Sequence, residues 1–401
     1  MKKSFVKLLS SGIFLILLSA CNQAGNAPKP EDYGLSSDTL VAAGQDMQAY
    51  IDKGTYAGIA TMILADGKVI DRHNYGYADM IAQKPIADNN IYRIYSMTKP
   101  LVTAGLMILY DEGKFQLDDP VSKYIPAFAN TQVYTPEGLV PQEHPMTIVN
   151  LLTHTSGLTY GWDQHSYVDS LYRLQRDMDW YSQPLESAIN NLATLPLKYQ
   201  PGTKYEYSLS IDVAGYLIEV LSGMPLDEFL SERLFLPLKM EDTGFYVPAD
   251  KKDRLVTVYY TQEDGSIKGP DDPSTDRFFE KPMLFSGGGG LVSTMDDYAR
   301  FSTMLLNKGE LDGTRVLQES TVDLILTNHL PEGVELWEGY GYGLGGSLNL
   351  ATGDYGWGGA ASTSFRIYPA NHIAILAFAQ LMPANFAFAE EYTKKVVSTL
   401  K

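Results

Sequence analysis

The chain has 401 residues, of which 45% are apolar and 20% are charged, the profile of a soluble globular protein able to bury a large core. Its formal net charge of −17 argues against a nucleic-acid partner, because phosphate binding needs clustered lysine and arginine. The six histidines are scattered and lack the spacing of metal ligands, so no metal site and no cofactor are predicted.

The N-terminus predicts export. The segment "MKKSFVKLLSSGIFLILLSAC" has a basic start and an apolar run, Gly12 to Leu18, that is too short to span a bilayer comfortably. Its "LSAC" ending resembles a bacterial lipobox, where a signal is cut and Cys21 becomes lipid-modified. Cys21 is the only cysteine, so it cannot form an internal disulfide. We predict a signal peptide over residues 1–20, whose removal would make the net charge about −20.

Residues 21–36 predict a flexible tether, because they are rich in Pro, Gly and Asn. Asn22, rather than aspartate, follows Cys21, and this resembles the outer-membrane address of lipoproteins from double-membrane bacteria. We therefore predict a lipoprotein anchored through Cys21, with its body on the periplasmic or cell-surface face of the outer membrane. Residues 37–401 are predicted to form one interleaved domain.

The first elements of this domain follow in chain order. Helical spacing predicts a helix over 38–53, and alternation predicts a hairpin over 57–79 with a tight Asp66-Gly67 turn. A long helix follows "IYRIYS" and ends at Gly113. Residues 115–270 read as helices and loops rich in Tyr and Pro.

The last third of the chain returns to strands. A helix is predicted from Ser293, its N-cap, to Gly309. Three strand-like runs follow over 339–350, 356–369 and 372–380, and a final helix begins near Phe386. Strands near both ends and helices between them predict an α+β fold, with one antiparallel sheet built from both termini and an inserted, mainly helical region.

A Ser-x-x-Lys spacing occurs three times, at Ser4, Ser96 and Ser398. Only "SMTK", Ser96 to Lys99, opens a long apolar helix. There the two side chains share a face, and a serine nucleophile needs such a base within reach. Free N–H groups at a helix start could also hold an oxyanion. An N-cap serine followed by a surface lysine is the alternative interpretation of this motif alone.

Three more segments support the catalytic interpretation: "LLTHTSGL" (151–158), "PGTKYEYSLS" (201–210) and "YGWGGAASTSFRIYP" (355–369). With "SMTK" they resemble, in order and spacing, the serine β-lactamase and penicillin-binding-protein superfamily, and most of all class C β-lactamases and family VIII carboxylesterases. The segments "FLPLKMEDTGF" and "GGGGLVSTMDDYARF" look like further landmarks of these proteins. The resemblance covers about residues 37–400 and implies the β-lactamase-like fold.

The resemblance also implies roles for single residues. Ser96 would be the acylated nucleophile, Lys99 would assist its deprotonation, and Tyr207 would work with the lysine as general base and then as acid. Tyr207 is chosen over Tyr205 because the family tyrosine is followed directly by Ser or Ala. The backbone N–H groups of Ser96 and Ala360 would form the oxyanion hole. His154 is predicted to be a buried hydrogen-bonding residue and not a catalyst.

Two departures from the β-lactamase pattern favour esters. Leu209 stands where many β-lactamases have an asparagine that binds the lactam side chain. The triplet Trp357-Gly358-Gly359 stands where they have Lys-Thr-Gly, which binds the substrate carboxylate. An indole offers one N–H and no charge. Glycines in a strand further indicate that a ligand or backbone approaches closely, so this triplet is predicted to line the substrate site.

These features predict an exported serine hydrolase that cleaves small carboxylic esters through a Ser96 acyl-enzyme. One alternative is a β-lactamase or D-amino-acid peptidase that acts on amides. A second is a penicillin-binding-like protein of the cell envelope with slow or no turnover, although the intact Ser96, Lys99 and Tyr207 set speaks against it. The aromatic stretch 160–184 either covers the cleft or forms a packed helical surface. The sequence does not define an oligomeric state.

Overall fold

The computed structural model describes residues 28–400, so Cys21 and the predicted signal peptide lie outside the described residues. Its α-helices are α1 (Ser37–Asp52), α2 (Thr98–Asp111), α3 (Ile148–Leu152), α4 (Tyr167–Asp179), α5 (Leu185–Leu192), α6 (Ser210–Ser222), α7 (Leu226–Leu230), α8 (Met295–Leu306), α9 (Glu319–Ile325) and α10 (Ala387–Val397). Within residues 28–400, none of the helices has the length and apolar character needed to cross a bilayer.

The β-strands are β1 (Gly58–Ala65), β2 (Lys68–Asp79), β3 (Lys84–Pro85), β4 (Tyr92–Arg93), β5 (Val133–Thr135), β6 (Gly138–Val140), β7 (Tyr259–Thr261), β8 (Ile267–Lys268), β9 (Val292–Ser293), β10 (Glu310–Leu311), β11 (Thr314–Arg315), β12 (Tyr340–Tyr342), β13 (Ser347–Asn349), β14 (Tyr355–Gly359), β15 (Thr363–Tyr368), β16 (Ile373–Phe378) and β17 (Leu381–Met382). One antiparallel sheet has the order β12-β13-β14-β15-β16-β1-β2-β3. Strands from both ends of the chain therefore share it, and the predicted α+β fold is confirmed.

The centre of this sheet is buried on both faces. Along β1, Met62 and Leu64 belong to the large core on the side of α2, α6 and α8, whereas Ile59 and Ile63 belong to a second core beneath α1 and α10. This alternation follows from the two-residue period of a strand. Ile63 lies opposite Ile375 of β16 in the antiparallel register, so the pairing of the two termini fixes the sheet.

The hairpin and the long helix agree with the sequence prediction. Asp66 and Gly67 form the β1–β2 turn with φ of 49° and 71°, the conformation that an Asp-Gly pair favours. Gly105 of α2 allows close packing, because a Cβ at this position would lie 2.4 Å from Leu230. The glycine therefore brings α2 against α7 in the inserted helical region.

The predicted N-cap of α8 is wrong by one residue. Thr294, not Ser293, is the N-cap of α8 and accepts a hydrogen bond from the Asp297 N–H. Ser293 is held in β9 by pairing with Tyr92, and this extended pairing delays the helix by one residue. The end of the predicted tether also packs onto the domain, because Leu35 is buried and Ser36 caps α1.

Candidate active site

Ser96 lies in a single 3-10 turn, Tyr95–Met97, directly before α2. The sequence analysis placed it at the start of the helix, but α2 begins two residues later and Met97 is its N-cap residue. Tyr95 has a φ of 40°, a left-handed conformation that is unusual for a bulky residue. This turn leaves Ser96 half-buried, while the helix that follows is buried along nearly its whole length.

Lys99 is fully buried in the first turn of α2. Its Nζ donates hydrogen bonds to Ser96 Oγ at 3.1 Å and to the Gly288 carbonyl oxygen at 2.6 Å. The predicted three-residue spacing therefore does bring the two side chains together. The Gly288 carbonyl fixes the amine against the serine hydroxyl, so Lys99 can take part in proton transfer to and from Ser96.

Tyr207 completes this cluster from the segment before α6. Lys99 Nζ lies 4.5 Å from the centroid of the Tyr207 ring, and the Trp357 indole N–H donates to the Tyr207 hydroxyl at 3.2 Å. Tyr205 points elsewhere: its ring packs 5.4 Å from Tyr342, and burial raises the pKa of its phenol. The structure thus places Tyr207, the tyrosine selected from the sequence, beside Lys99.

His154 holds the tyrosine segment on both sides of Tyr207. Its carbonyl oxygen accepts from the Glu206 N–H at 2.8 Å, and its Nδ1 accepts from the Ser208 N–H at 3.2 Å. An Nδ1 that accepts from a backbone amide assigns the ring proton to Nε2. Burial, and then the charge of Lys99, lower the pKa of His154, so the imidazole stays neutral. The His154 ring also packs on the Tyr207 ring, with centroids 4.7 Å apart, so His154 orients Tyr207 through both its backbone and its side chain.

Asp212, which lies behind Lys99, was not predicted from the sequence. Asp212 Oδ1 accepts hydrogen bonds from Ser286 Oγ at 2.6 Å and from the Gly288 N–H at 3.2 Å. Since the Gly288 carbonyl accepts from Lys99, a single residue, Gly288, connects the amine to this buried carboxyl group through its carbonyl and its N–H. Burial raises the pKa of Asp212. A single acidic residue in the otherwise apolar start of α6 was the available signal.

Tyr160 was also missed as a single residue, although it belongs to the aromatic stretch that was considered as a cleft cover. Its ring centroid lies 5.4 Å from Lys99 Nζ and 5.2 Å from that of Tyr207. Trp162 stacks on it at 4.9 Å with an interplanar angle of 17°. The beginning of the 160–184 stretch therefore lies beside Lys99 and Tyr207.

The end of β14 reaches the backbone that leads into Ser96. A Cβ on Gly359 would lie 2.3 Å from the Ile94 carbonyl oxygen, and one on Gly358 would lie 2.8 Å from the Phe386 ring. Because these two glycines have no side chain, the Ile94 carbonyl and the Phe386 ring can lie close to the β14 backbone. Ala360 follows them and is exposed, which leaves its assignment to the oxyanion hole a prediction.

Leu209 differs from the other predicted site residues. It is 4% exposed and packs in the large core, so it offers little surface to a substrate. Trp357, by contrast, is half-buried and contacts Tyr207 directly. The described residues 28–400 contain no group of three or more His, Cys, Asp or Glu side chains that could hold a metal ion.

The sheet with helices on both faces, together with the cluster of Ser96, Lys99 and Tyr207, defines a protein of the β-lactamase-like fold. The family model described as Beta-lactamase matches residues 43–398. The chain therefore belongs to the Beta-lactamase family.

Its relatives include esterases. Protein Rv1367c of Mycobacterium tuberculosis is 34% identical over 359 residues, which is 83% of this chain and 88% of that protein. Esterase EstB of Burkholderia gladioli is 30% identical over 260 residues, covering 61% of this chain and 64% of its own length. The solved structure of EstCE1, a hydrolase with promiscuous acyltransferase activity, superposes with a TM-score of 0.75 at 27% identity, covering 90% of this chain and 98% of that one.

Proposed function

We propose that this protein hydrolyses carboxylic esters through an acyl-enzyme on Ser96. The observation that carries the proposal is the neighbour of Tyr207: an uncharged indole, Trp357, donates to its hydroxyl where a β-lactamase would place a lysine. The similarity to Esterase EstB and to EstCE1 supports the same activity.

In the proposed reaction, Ser96 Oγ attacks the ester carbonyl carbon and passes its proton to the Lys99 and Tyr207 pair. The bond from that carbon to the alcohol oxygen then breaks, and Tyr207 returns the proton to the leaving alcohol. In the second half of the reaction water attacks the acyl carbon and gives a proton to the Lys99 and Tyr207 pair. The bond from that carbon to Ser96 Oγ then breaks, the carboxylic acid leaves, and the proton returns to Ser96 Oγ. The 3.1 Å contact between Lys99 Nζ and Ser96 Oγ supports the first proton transfer.

The rival substrates are amides, either lactams or D-amino-acid peptides, which carry a carboxylate. Loss of a charge-assisted contact to a carboxylate costs about 1.5 to 3 kcal/mol, or roughly ten- to a hundredfold in affinity. A neutral ester such as nitrophenyl butyrate has no carboxylate and does not depend on that contact. We expect this ester to be turned over at least about a hundredfold more efficiently than a chromogenic cephalosporin, measured as kcat/KM on one purified sample.

The charge at position 357 can be tested apart from the indole. Trp357→Lys restores a cation but also removes the hydrogen bond to Tyr207, and Trp357→Met removes that bond without adding a charge. Comparison of the two variants isolates the effect of the charge. We expect only the lysine variant to reduce the difference in kcat/KM between the ester and the cephalosporin. Wild-type protein that hydrolyses the cephalosporin as fast as the ester would instead favour the β-lactamase alternative.

We also propose that the protein is anchored in the outer membrane through a lipid on Cys21. The lipobox-like "LSAC" ending and Asn22 support this proposal. One acyl chain binds a membrane only marginally, so stable anchoring requires a fully modified cysteine.

The anchor predicts that the protein, expressed with its own signal, sediments with bacterial membranes. Cys21→Ser is expected to release it or to leave an uncut precursor. Asn22→Asp is the matched control, since it keeps the lipid and is expected to move the protein to the inner-membrane fraction. An intact mass that shows an unmodified Cys21 on the mature chain would disprove the anchor.

A further inference from the structure

Three of the four tryptophans in the chain form a row around Tyr207. The Trp162 and Trp357 rings both contact Tyr207, with centroids 5.6 and 5.5 Å from that of its ring. Trp337 extends the row, because it stacks on Trp357 at 6.3 Å with an interplanar angle of 18°. The fourth tryptophan, Trp180, is buried in the core and needs no further explanation.

Packing within the protein does not account for this row. Trp162 is 60% exposed and Trp337 is 48% exposed, so much of each indole faces solvent. The three residues come from the loop before α4, the segment before β12 and strand β14. Trp162 and Trp357 each contact the Tyr207 ring, and Trp337 joins them through Trp357. Scattered exposed apolar residues are normal, but a continuous aromatic surface beside a reactive serine indicates a ligand site.

The position of Tyr207 within the row decides which half of the substrate it contacts. This step rests on the proposed function, in which the Tyr207 hydroxyl gives its proton to the oxygen of the leaving alcohol. A group attached to that oxygen then lies beside the rings that contact Tyr207. The row therefore belongs to the alcohol half of the ester, whereas the acyl half stays on Ser96.

The charges around the row indicate the character of that group. Acidic residues follow both exposed indoles in the sequence, Asp163 after Trp162 and Glu338 after Trp337, and both are exposed. Asp163 pairs with Lys198 at 3.9 Å, and the buried Lys99 amine lies on the Tyr207 ring. The uncompensated charge on the outer part of the row is therefore that of Glu338. With a formal net charge of −17 on the whole chain, an anionic ring would be repelled. Tryptophan faces bind flat rings by stacking.

We propose that Trp162 and Trp337 form a subsite for the leaving alcohol, and that the preferred esters carry a flat ring without a negative charge on that alcohol. Trp357 forms the inner end of this subsite, and the hydrogen bond from its indole N–H to the Tyr207 hydroxyl fixes the plane of the indole. The ring subsite makes the alcohol, and not the acyl chain, the main determinant of specificity.

The test compares benzyl butyrate with cyclohexylmethyl butyrate, which share the acyl group and have similar size, but differ in whether the ring is flat. Stacking on one aromatic side chain contributes roughly ten- to a hundredfold in affinity when it is fully used. We expect Trp162→Ala and Trp337→Ala each to raise KM for the benzyl ester about tenfold, with kcat nearly unchanged. The same variants are expected to raise KM for the cyclohexylmethyl ester as well, but by a smaller factor, so that the preference for the benzyl ester shrinks, and Trp337→Phe is expected to restore most of that preference.

Tyr260→Ala serves as the control, since Tyr260 is 43% exposed and lies outside the row. Binding without turnover is measured separately, by quenching of tryptophan fluorescence with 2-naphthol in the Ser96→Ala protein. Equal effects of the tryptophan variants on both esters, or no effect on either, would overturn the subsite. A different outcome would be naphthol binding that depends on Trp162 and Trp337, together with a wild-type protein that hydrolyses no ester. That result would support the ring site and refute the proposed ester hydrolysis.

Discussion

Replacement of Ser96 by alanine is expected to abolish both ester turnover and labelling by a phosphonate probe. In the proposed mechanism Ser96 Oγ is the protein atom that bonds to the acyl carbon, and Lys99 Nζ already donates to it at 3.1 Å. Lys99→Met is expected to lower kcat/KM by at least about a thousandfold, because a positioned proton-transfer group contributes about 10² to 10⁴. Intact-mass analysis after labelling and a nitrophenyl ester assay measure the two effects.

The double variant with Ser96→Ala and Lys99→Met is expected to lose little more activity than Ser96→Ala alone, since the effects of residues that act as one unit are not additive. Ser398→Ala is the matched control: Ser398 also precedes a lysine by three residues, but its hydroxyl donates to the Lys395 carbonyl after α10. This variant should keep full activity and full labelling. Labelling that persists in Ser96→Ala would place the nucleophile elsewhere and contradict the assignment.

The second large effect concerns the two tyrosines that flank Glu206. Tyr207→Phe is expected to lower kcat/KM about a hundredfold or more, the usual contribution of a general acid–base group. The variant keeps the ring beneath Lys99 Nζ but removes the hydroxyl that accepts from Trp357. In a Lys99→Met background the same substitution is expected to cost much less, which a double-mutant comparison of kcat/KM would measure.

Tyr205→Phe is the control, because it removes the same atom two residues away. Its ring packs against His154 and Tyr342 and not against Lys99, so we expect less than about a threefold loss. An essential Tyr205 together with a dispensable Tyr207 would mean that the motif was aligned to the wrong tyrosine.

The sequence predicted those parts of the site that depend on local spacing. The Ser96 to Lys99 contact follows from one helical turn, and the β1–β2 hairpin follows from its Asp-Gly turn. The N-cap of α8 was misplaced by one residue, because the competing pairing of Ser293 with Tyr92 is not local. A boundary of this kind depends on a strand some 200 residues earlier in the chain.

The parts that the sequence did not predict come from distant segments that meet in the folded chain. Asp212 supports Lys99 only because Gly288 lies between them, and no spacing in the sequence indicates that contact. Likewise, the packing of separate loops brings Trp162 against Tyr207 and Trp337 against Trp357. Single aromatic residues of this kind cannot be told from ordinary core residues until the fold places them.

The pairing of β1 with β16 also determines when the central sheet can finish folding. The two strands lie at opposite ends of the chain, so closure of the sheet carries the entropy cost of a very long loop, and folds dominated by such contacts form slowly. During synthesis β1 therefore has no partner on its β16 side until the last strands emerge, and an unpaired strand edge invites aggregation. A chain that ended before β14 would contain Ser96, Lys99 and Tyr207 but would lack Trp357. It would also lack β16, the neighbour of β1 on one side, and its sheet would stay incomplete.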